Sequence, residues 1–323
     1  MTMREISISD IADFKIGNAQ DILKGTGCTV IICENGAAAG VDVRGGGPAT
    51  RETDLLRPEN MVQAINAVTI SGGSAFGLEA ANGVMQYLRE KNIGFETGFG
   101  VVPIVCGASL FDLVSGDNTA YPDKQMGYEA CKAAQSGTFR QGNFGAGTGA
   151  TVGKLMGIER LMKGGLGAYA VSADGLEIGA VVAVNALGDI FDTDTGRQLA
   201  GLLSEDKTGL ASTEQAMFDK INTGRDVFKG NTTIGCVITN ADINKPQCCK
   251  IASVTHDGFA RAIKPVHSSA DGDSIFVMAS GRVAADFDTV GALSAYVMSR
   301  AIRNAVMNAE AAYGYKCAKD FLK

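Results

Sequence analysis

"GNTTIGCVITN" occupies residues 230–240 and places two adjacent threonines at the start of an apolar run. Gly and Asn are typical of turns, whereas Thr, Ile and Val suit the pleated surface of a strand. The stretch therefore predicts a turn that leads into a strand. From residue type alone, the threonine pair indicates only that this strand begins with β-branched residues.

Apolar runs and helical patterns alternate on both sides of this stretch. Strands are predicted at residues 29–33, 40–44, 101–106, 167–172, 179–185, 234–239 and 274–280. Helices are predicted at 74–91, 124–135, 212–221 and 245–263, and in a long C-terminal segment with Leu293, Val297, Ala301 and Ala305 in one row. The alternation favours an α/β fold in which helix layers cover a sheet. The polar segment 202–231 is predicted to be an exposed linker.

Composition narrows the possible partners. The chain has 323 residues, 46% hydrophobic and 20% charged, which is enough for a sizeable core in one large domain or two smaller ones. A net charge of −6 without a basic cluster offers no electrostatic footprint for nucleic acid or an anionic membrane. The N-terminus lacks a signal-peptide pattern, and no run of about 18 apolar residues occurs. We therefore expect a cytoplasmic protein that binds neither nucleic acid nor membrane.

Cysteine and histidine usage argues against a metal cofactor. Eight cysteines occur without a CxxC pair, and His256 and His267 are the two histidines. Without a signal peptide, thiols of this kind are expected to be reduced and buried. The 42 glycines concentrate in "VDVRGGGPATRETD", "SGGSAFGLEAANG" and "FGAGTGATVGK". Because glycine permits close approach of backbones, we expect the backbone to form part of a site.

Two familiar motifs are incomplete. "FGAGTGATVGK" has Gly147 and the Gly153-Lys154 pair at the spacing of a phosphate-binding loop, but Leu155 replaces the required Ser or Thr. "SGGSAFG" resembles a nucleophile elbow around Ser74, but Phe76 stands where the closing glycine is needed. Neither segment therefore predicts nucleotide binding or a serine hydrolase of the elbow type.

The segment "PVHSSADGDSIF" holds Asp271 and Asp273 on either side of a glycine, just before an apolar run. An Asx turn with two solvated carboxylates is one interpretation of this pattern. The other is that residues i and i+2 point the same way into a site. His256, His267 and the nearby serines do not have a spacing that selects a Ser-His-Asp set.

A longer series of segments resembles the β-aminopeptidase family, which includes the L-aminopeptidase D-amidase/esterases, the nylon-oligomer hydrolases and the pantetheine hydrolases. The segments are "GCTVIICENGAAAGVDVRGGGPATRETDLL", "VTISGGSAFGLEAANGVMQYL", "NFGAGTGATVGKL", "MKGGLGAYAV", "AVVAVNALGDIFD", "GNTTIGCVITNA" and "HDGFARAIKPVHSSADGDSIFVMASG". The resemblance extends from "KIGNAQD" to the last helix, and it is far more specific than any single motif.

The resemblance implies an α/β fold, an αββα four-layer sandwich of the N-terminal-nucleophile hydrolase type, in a single domain. In such enzymes a precursor cuts itself, and the newly exposed Ser or Thr becomes the nucleophile. The cut maps between Asn231 and Thr232, which would give an α chain of residues 1–231 and a β chain of residues 232–323. Thr232 is then the expected nucleophile, and its own α-amine the expected general base, without any cofactor.

Other roles carry over from the nylon-hydrolase branch, which has a Lys after the Gly-rich loop, an Asn on the strand before the linker, and an Asp-x-Asp. These match Lys154, Asn185, Asp271 and Asp273. The resemblance implies that Asn185 donates to an oxyanion and that Lys154 stabilises negative charge or the neutral amine. The two aspartates would orient the threonine hydroxyl and amine. The aminopeptidase branch instead carries Ser as nucleophile and Ser-x-Glu at the Asp-x-Asp site.

The Gly-rich loop itself is expected to contribute its backbone. The amides of Gly145, Ala146, Gly147 and Thr148 are predicted to complete an anion pocket for the substrate. This assignment belongs with the roles that the resemblance implies.

We expect an amide hydrolase that acts on small peptides or ω-amino-acid oligomers carrying a free amine. One alternative is a pantetheine-type amidase or an acyltransferase, because water and an amine compete for the same acyl-enzyme. Another is an unprocessed, non-catalytic binding protein, since a fold does not by itself ensure an activity. The family also implies a homo-oligomer, a tetramer of processed units.

Overall fold

A computed structural model describes residues 3–219 and 230–322 of the chain. The described part contains five α-helices: α1 Ala80–Glu90, α2 Lys124–Ala134, α3 Thr213–Phe218, α4 Lys245–Ala262 and α5 Phe287–Met307. It also contains seventeen strands: β1 Arg4–Ile6, β2 Phe14–Asp21, β3 Thr26–Val43, β4 Ala49–Arg51, β5 Ala64–Ser71, β6 Phe95–Glu96, β7 Val101–Val102, β8 Val105–Ser109, β9 Thr151–Val152, β10 Met162–Lys163, β11 Gly165–Ala173, β12 Leu176–Asn185, β13 Asp189–Phe191, β14 Gln198–Ala200, β15 Thr232–Ala241, β16 Ile263–Lys264 and β17 Ser274–Val283.

Local sequence fixes where the long helices begin. The side chain of Asp123 accepts a hydrogen bond from the third residue of α2, and Asp286 does the same for α5. Asn244 and Gln247 form a reciprocal capping box at the start of α4. Side-chain caps of this kind satisfy backbone donors that the helix itself leaves without partners.

Ten strands form one large sheet that bends at β3. Its order is β1-β11-β12-β15-β17-β3-β5-β8-β4, and β2 also pairs with β3. Residues 26–33 of β3 pair with β2, residues 38–43 pair with β17, and the register with β5 shifts between Ile32 and Ala37. Because irregularities of this kind bend a strand, β3 belongs to both halves of the sheet.

Three apolar clusters separate four layers. The first lies between the two halves of the sheet and joins Ile31 and Val68 to Ile234 and Phe276. The second covers the β12-β15-β17 half with α4 and α5, and the third covers the β3-β5 half with α1 and α2. The order helix, sheet, sheet, helix confirms the predicted αββα sandwich.

Strand β15 lies in the middle of its half of the sheet. It pairs antiparallel with β12 and parallel with β17, and all ten of its residues are buried. Ile234 and Cys236 face the core between the sheets, whereas Val237 faces the α4/α5 layer. A strand buried on both faces reads as a continuous apolar run, which explains the pattern after the threonine pair.

The structure refines several predicted boundaries. The predicted helix 74–91 begins as a 3-10 turn, Ser74–Glu79, before α1. Strands predicted at 29–33 and 40–44 are parts of one strand, β3, and the strand predicted at 101–106 is divided between β7 and β8. The helix predicted at 212–221 forms as α3. Residues 220–229 of the predicted linker lie outside the described residues, and its first residues, Leu202 and Leu203, are buried rather than exposed.

None of the helices in the described ranges, 3–219 and 230–322, has the length and hydropathy of a membrane-spanning segment.

Candidate active site

The threonine pair begins β15 beside the Asp271–Asp273 loop. Asn231 forms an isolated parallel bridge with Asp271, and its carbonyl oxygen accepts a hydrogen bond from the Gly272 amide at 2.9 Å. The Thr232 hydroxyl donates to that same carbonyl oxygen, and Thr232 is only 4% exposed. A hydroxyl and a backbone amide therefore converge on the Asn231 carbonyl in the continuous chain.

Gly230 precedes this carbonyl in a conformation that other residues avoid. Its φ is +133°, and a Cβ at this position would lie 2.5 Å from the ring of Phe111. Its carbonyl oxygen accepts a hydrogen bond from the Lys154 Nζ at 2.9 Å. The glycine thus permits the turn, and the lysine holds it next to β15.

Lys154 and Asn185 form a buried pair beside this turn. Lys154 is 0% exposed, and its Nζ donates to the Asn185 Oδ1 at 2.7 Å. Asn185 ends β12 directly opposite Thr232, and its Oδ1 also accepts from the Thr151 amide at 3.0 Å. The antiparallel register therefore places Asn185 at the start of β15, and the hydrogen bond to Asn185 holds Lys154 there.

The Asn185 side-chain amide has a hydrogen-bond acceptor within the protein. Its Nδ2 donates to the carbonyl oxygen of Phe111 at 2.9 Å. The donor on the Asn231 carbonyl is instead the Gly272 amide, which sequence reasoning did not identify. The Gly272 amide reaches the Asn231 carbonyl through a backbone bridge between residues far apart in sequence, so no local sequence pattern predicts this contact.

Burial brings the pKa values of two ionisable groups close to 7. Desolvation lowers the pKa of Lys154 to about 7, although the negative charges of Asp271 and Asp112 oppose the shift. Desolvation raises the pKa of Asp271 to about 6, and the charge of Asp273 adds to that shift. A lysine and a carboxyl group that both titrate near pH 7 are suited to proton transfer.

Asp273 contacts the second threonine of the pair. Its Oδ1 accepts from the Thr233 amide at 2.8 Å, and its Oδ2 accepts from the His267 amide at 3.1 Å. The His267 Nδ1 lies 2.8 Å from the same Oδ2. Asp273 is therefore engaged at both oxygens and supports the strand next to Thr232. No motif or spacing selects His267 as a site residue, and the structure places it beside Asp273.

A run of three glycines packs against the aspartate loop. The Gly47 amide donates to the Asp271 carbonyl oxygen at 2.8 Å. A Cβ at Gly45 would lie 2.3 Å from that same oxygen, and a Cβ at Gly46 would lie 2.5 Å from the Ser269 carbonyl oxygen. The expectation that glycine-rich backbone forms part of the site thus applies to "RGGGP", where the two backbones touch.

The amides of the other Gly-rich loop have acceptors inside the protein. Those of Gly147 and Thr148 donate within the loop, to Phe144 and Gly145 carbonyl oxygens. The Gly145 amide donates to the Gln20 side chain, and the Ala146 amide to the Thr29 hydroxyl. These four amides would have to exchange partners to form the predicted anion pocket.

The fold resembles that of the N-terminal-nucleophile hydrolases. Residues 7–319 match peptidase family S58, so the chain belongs to that family. Because the match covers nearly the whole chain, the resemblance stated from the sequence motifs is confirmed. The protein is an enzyme of the peptidase and amidase class.

Individual relatives are consistent with this assignment. An uncharacterized aminopeptidase of Mycobacterium leprae is 38% identical over 95% of this chain and 92% of its own length. A 6-aminohexanoate-oligomer endohydrolase of Agromyces sp. is 30% identical over 94% of this chain and 87% of its own length. Among solved structures, the L-aminopeptidase D-Ala-esterase/amidase of Ochrobactrum anthropi, described as a variant of the Ntn hydrolase fold, superposes with a TM-score of 0.70. It is 17% identical in sequence, over 95% of this chain and 87% of that chain.

Proposed function

We propose that the chain cuts itself between Asn231 and Thr232 and then hydrolyses small amides with Thr232 as an N-terminal nucleophile. The observation that carries this proposal is the contact between the Thr232 hydroxyl and the Asn231 carbonyl. The Gly272 amide, bonded to that carbonyl oxygen, supplies a donor for the negative charge that attack would create there.

The self-cleavage step needs a hydroxyl, a proton acceptor and an oxyanion donor. The Thr232 Oγ adds to the Asn231 carbonyl carbon, and its proton passes to the neutral Lys154 amine. The bond between this carbon and the Thr232 nitrogen then breaks, and the nitrogen takes up a proton. An ester between Asn231 and the threonine remains, and water hydrolyses it to a carboxylate and a free hydroxyl.

The exposed threonine then carries nucleophile and base in one residue. Its α-amine accepts the hydroxyl proton when Oγ attacks a substrate amide, and it returns the proton to the leaving amine. The β-branch restricts χ1 and so limits where Oγ points. The Lys154 Nζ, which donates to the Gly230 carbonyl oxygen two residues before this amine, adds a second titrating nitrogen to the site.

The intact mass of the purified wild-type protein tests self-cleavage. We expect the 33.5 kDa chain to yield two fragments of roughly 24 and roughly 9.5 kDa, in proportion to their lengths. Sequencing of the smaller fragment should begin at Thr232. A single chain that persists after prolonged incubation would contradict the proposal.

For the substrate, we propose small amides whose acyl group carries a free amine. Asp271 supports this choice, because it is a buried acidic residue bridged to Asn231, and the hydrogen bonds to its carboxyl group come from Ser268, whose amide lies at 2.8 Å. Asp273 is less suited, since both of its oxygens are already engaged. A relative named for 6-aminohexanoate oligomers points to the same chemical class.

Blocking the substrate amine is expected to reduce turnover strongly. The comparison uses β-alanyl p-nitroanilide and a 6-aminohexanoate dimer against their N-acetylated forms, because acetylation removes the charge that a carboxylate would bind. The Thr232→Ala protein serves as the blank. If the acetylated compounds are hydrolysed equally fast, the ammonium site is wrong and a pantetheine-type amidase becomes the better description.

A further inference from the structure

His267 has a role that the chemistry above does not use. We infer that His267 is a positioning residue that holds the Asp273 carboxylate against the amide of Thr233, and thereby fixes the start of β15 for self-cleavage. This inference rests on the proposed cut between Asn231 and Thr232. It concerns a residue that acts through Asp273 and does not touch the reacting atoms.

The hydrogen bonds define which ring nitrogen carries the proton. The His267 Nδ1 lies 2.8 Å from the Asp273 Oδ2, and an ionised carboxylate only accepts hydrogen bonds. Nδ1 is therefore protonated in the neutral ring. The His267 Nε2 is buried and has no hydrogen-bond partner among the described residues. The ring thus offers one donor, and that donor is directed at Asp273.

Aromatic packing holds the ring in this orientation. The His267 ring lies 4.7 Å from the His256 ring, edge to face, and 6.1 Å from the Phe259 ring, nearly parallel to it. His256 is itself fixed by the Asp42 carbonyl oxygen, 3.1 Å from its Nε2. Because α4 supplies both neighbouring rings, the helix layer sets the position of His267 against the sheet.

The carboxylate that His267 orients lies one residue before the β15-β17 ladder. In that ladder Ile234 is opposite Ser274, so Asp273 is placed to reach the Thr233 amide. Thr233 shares a peptide bond with Thr232. A displaced carboxylate would therefore move the peptide unit on which the nucleophile sits, and misplacement by about 1 Å can slow a reaction about 100-fold.

Two substitutions at His267 test the effect of the hydrogen-bond donor separately from that of the aromatic ring. His267→Asn keeps an N–H group the same number of bonds from the backbone as Nδ1, and asparagine tolerates the positive φ of +59° at this position. His267→Phe keeps an aromatic ring against Phe259 and His256 but lacks the donor. His267→Gly tolerates the backbone conformation without either feature, and so controls for strain in the phenylalanine variant.

The rate of self-cleavage is measured by cell-free synthesis followed by a time course on denaturing gels. We expect His267→Phe and His267→Gly to cut about 10- to 100-fold more slowly than wild type, and His267→Asn to remain within about threefold. Wild-type rates in the phenylalanine and glycine variants would overturn the inference, as would an asparagine variant as slow as they are. If wild type itself is not cut, the proposed function fails first, and this inference fails with it.

A spectroscopic measurement covers the case in which the substituted proteins do not fold. The chain contains two histidines, so ¹⁵N-histidine NMR of the full-length Thr232→Ala protein at pH 8 resolves both rings. We expect one ring protonated at Nδ1 and the other at Nε2, because the His256 Nε2 faces a carbonyl oxygen, which only accepts. Two rings that are both protonated at Nε2 would overturn the inference.

Discussion

Thr232→Ala is expected to remain a single uncut chain of 33.5 kDa without amidase activity. Alanine removes the only atom that can add to the Asn231 carbonyl from this position. Thr232→Ser keeps the hydroxyl and should still cut. It loses the methyl group, which lies close to the backbone at Gly272, so we expect cutting to be slower by up to about 100-fold.

The neighbouring threonine provides the matched control. The Thr233 hydroxyl is buried and has no hydrogen-bond partner among the described residues. Thr233→Val keeps the β-branched shape and removes this hydroxyl, so it should cut at the wild-type rate without loss of stability. Intact mass and p-nitroanilide release follow all three variants. Cutting in the alanine variant, or failure of the valine variant alone, would show that the nucleophile has been misassigned.

Lys154→Met is expected to slow self-cleavage on the order of 10²- to 10⁴-fold, the usual effect of removing a positioned acid or base. The wild-type rate should rise with pH and level off above pH 7. The reason is that burial lowers the pKa of Lys154 to about 7, so the neutral amine, which can accept the Thr232 proton, predominates above that pH. Lys154→Arg should also be slow, because a guanidinium keeps its proton at every accessible pH.

The pH profile distinguishes two roles for this lysine. If Lys154 acts as a cation that stabilises the oxyanion, the wild-type rate falls as pH rises through 7, and Lys154→Arg retains activity. Lys245→Met is the matched control, since Lys245 is also buried and donates to three carbonyl oxygens, each at 2.9 Å, in the segment 55–62. This variant should lose stability but keep the wild-type pH profile.

Much of the fold could be predicted because buried positions are occupied by apolar residues at the spacing typical of strands or helices. Strands β12, β15 and β17 are continuous apolar runs, and the four longest helices carry clear periodic patterns or caps. Strands β2 and β5 were missed. In β2, "FKIGNAQD" mixes apolar residues with glycine and polar residues, and three of its eight residues are buried. Its pairing with β3, more than local propensity, makes it a strand.

The site was predictable where residues carry recognisable side chains. Lys154, Asn185, Asp271 and Asp273 do gather at the start of β15, at the ends of elements far apart in sequence. The role of the Gly272 amide could not be predicted from the sequence, because nearly every residue has a backbone amide and only the fold determines which one contacts the Asn231 carbonyl. The orientation of the Asn185 amide depends likewise on the Phe111 carbonyl, whose position no local pattern encodes.

The order of the strands determines what the proposed cut would do to the stability of the enzyme. Strands β15 and β17 lie between β12 and β3, so a cut before Thr232 would leave two strands of the short fragment interleaved with strands of the long one. Helices α4 and α5, also in the short fragment, would cover them as one layer. The two fragments would dissociate only on global unfolding. Once unfolded, they must meet again by diffusion, so recovery becomes a second-order process that slows on dilution. The enzyme would in effect fold once as a single chain, and its working lifetime would be set by how slowly the cut form unfolds.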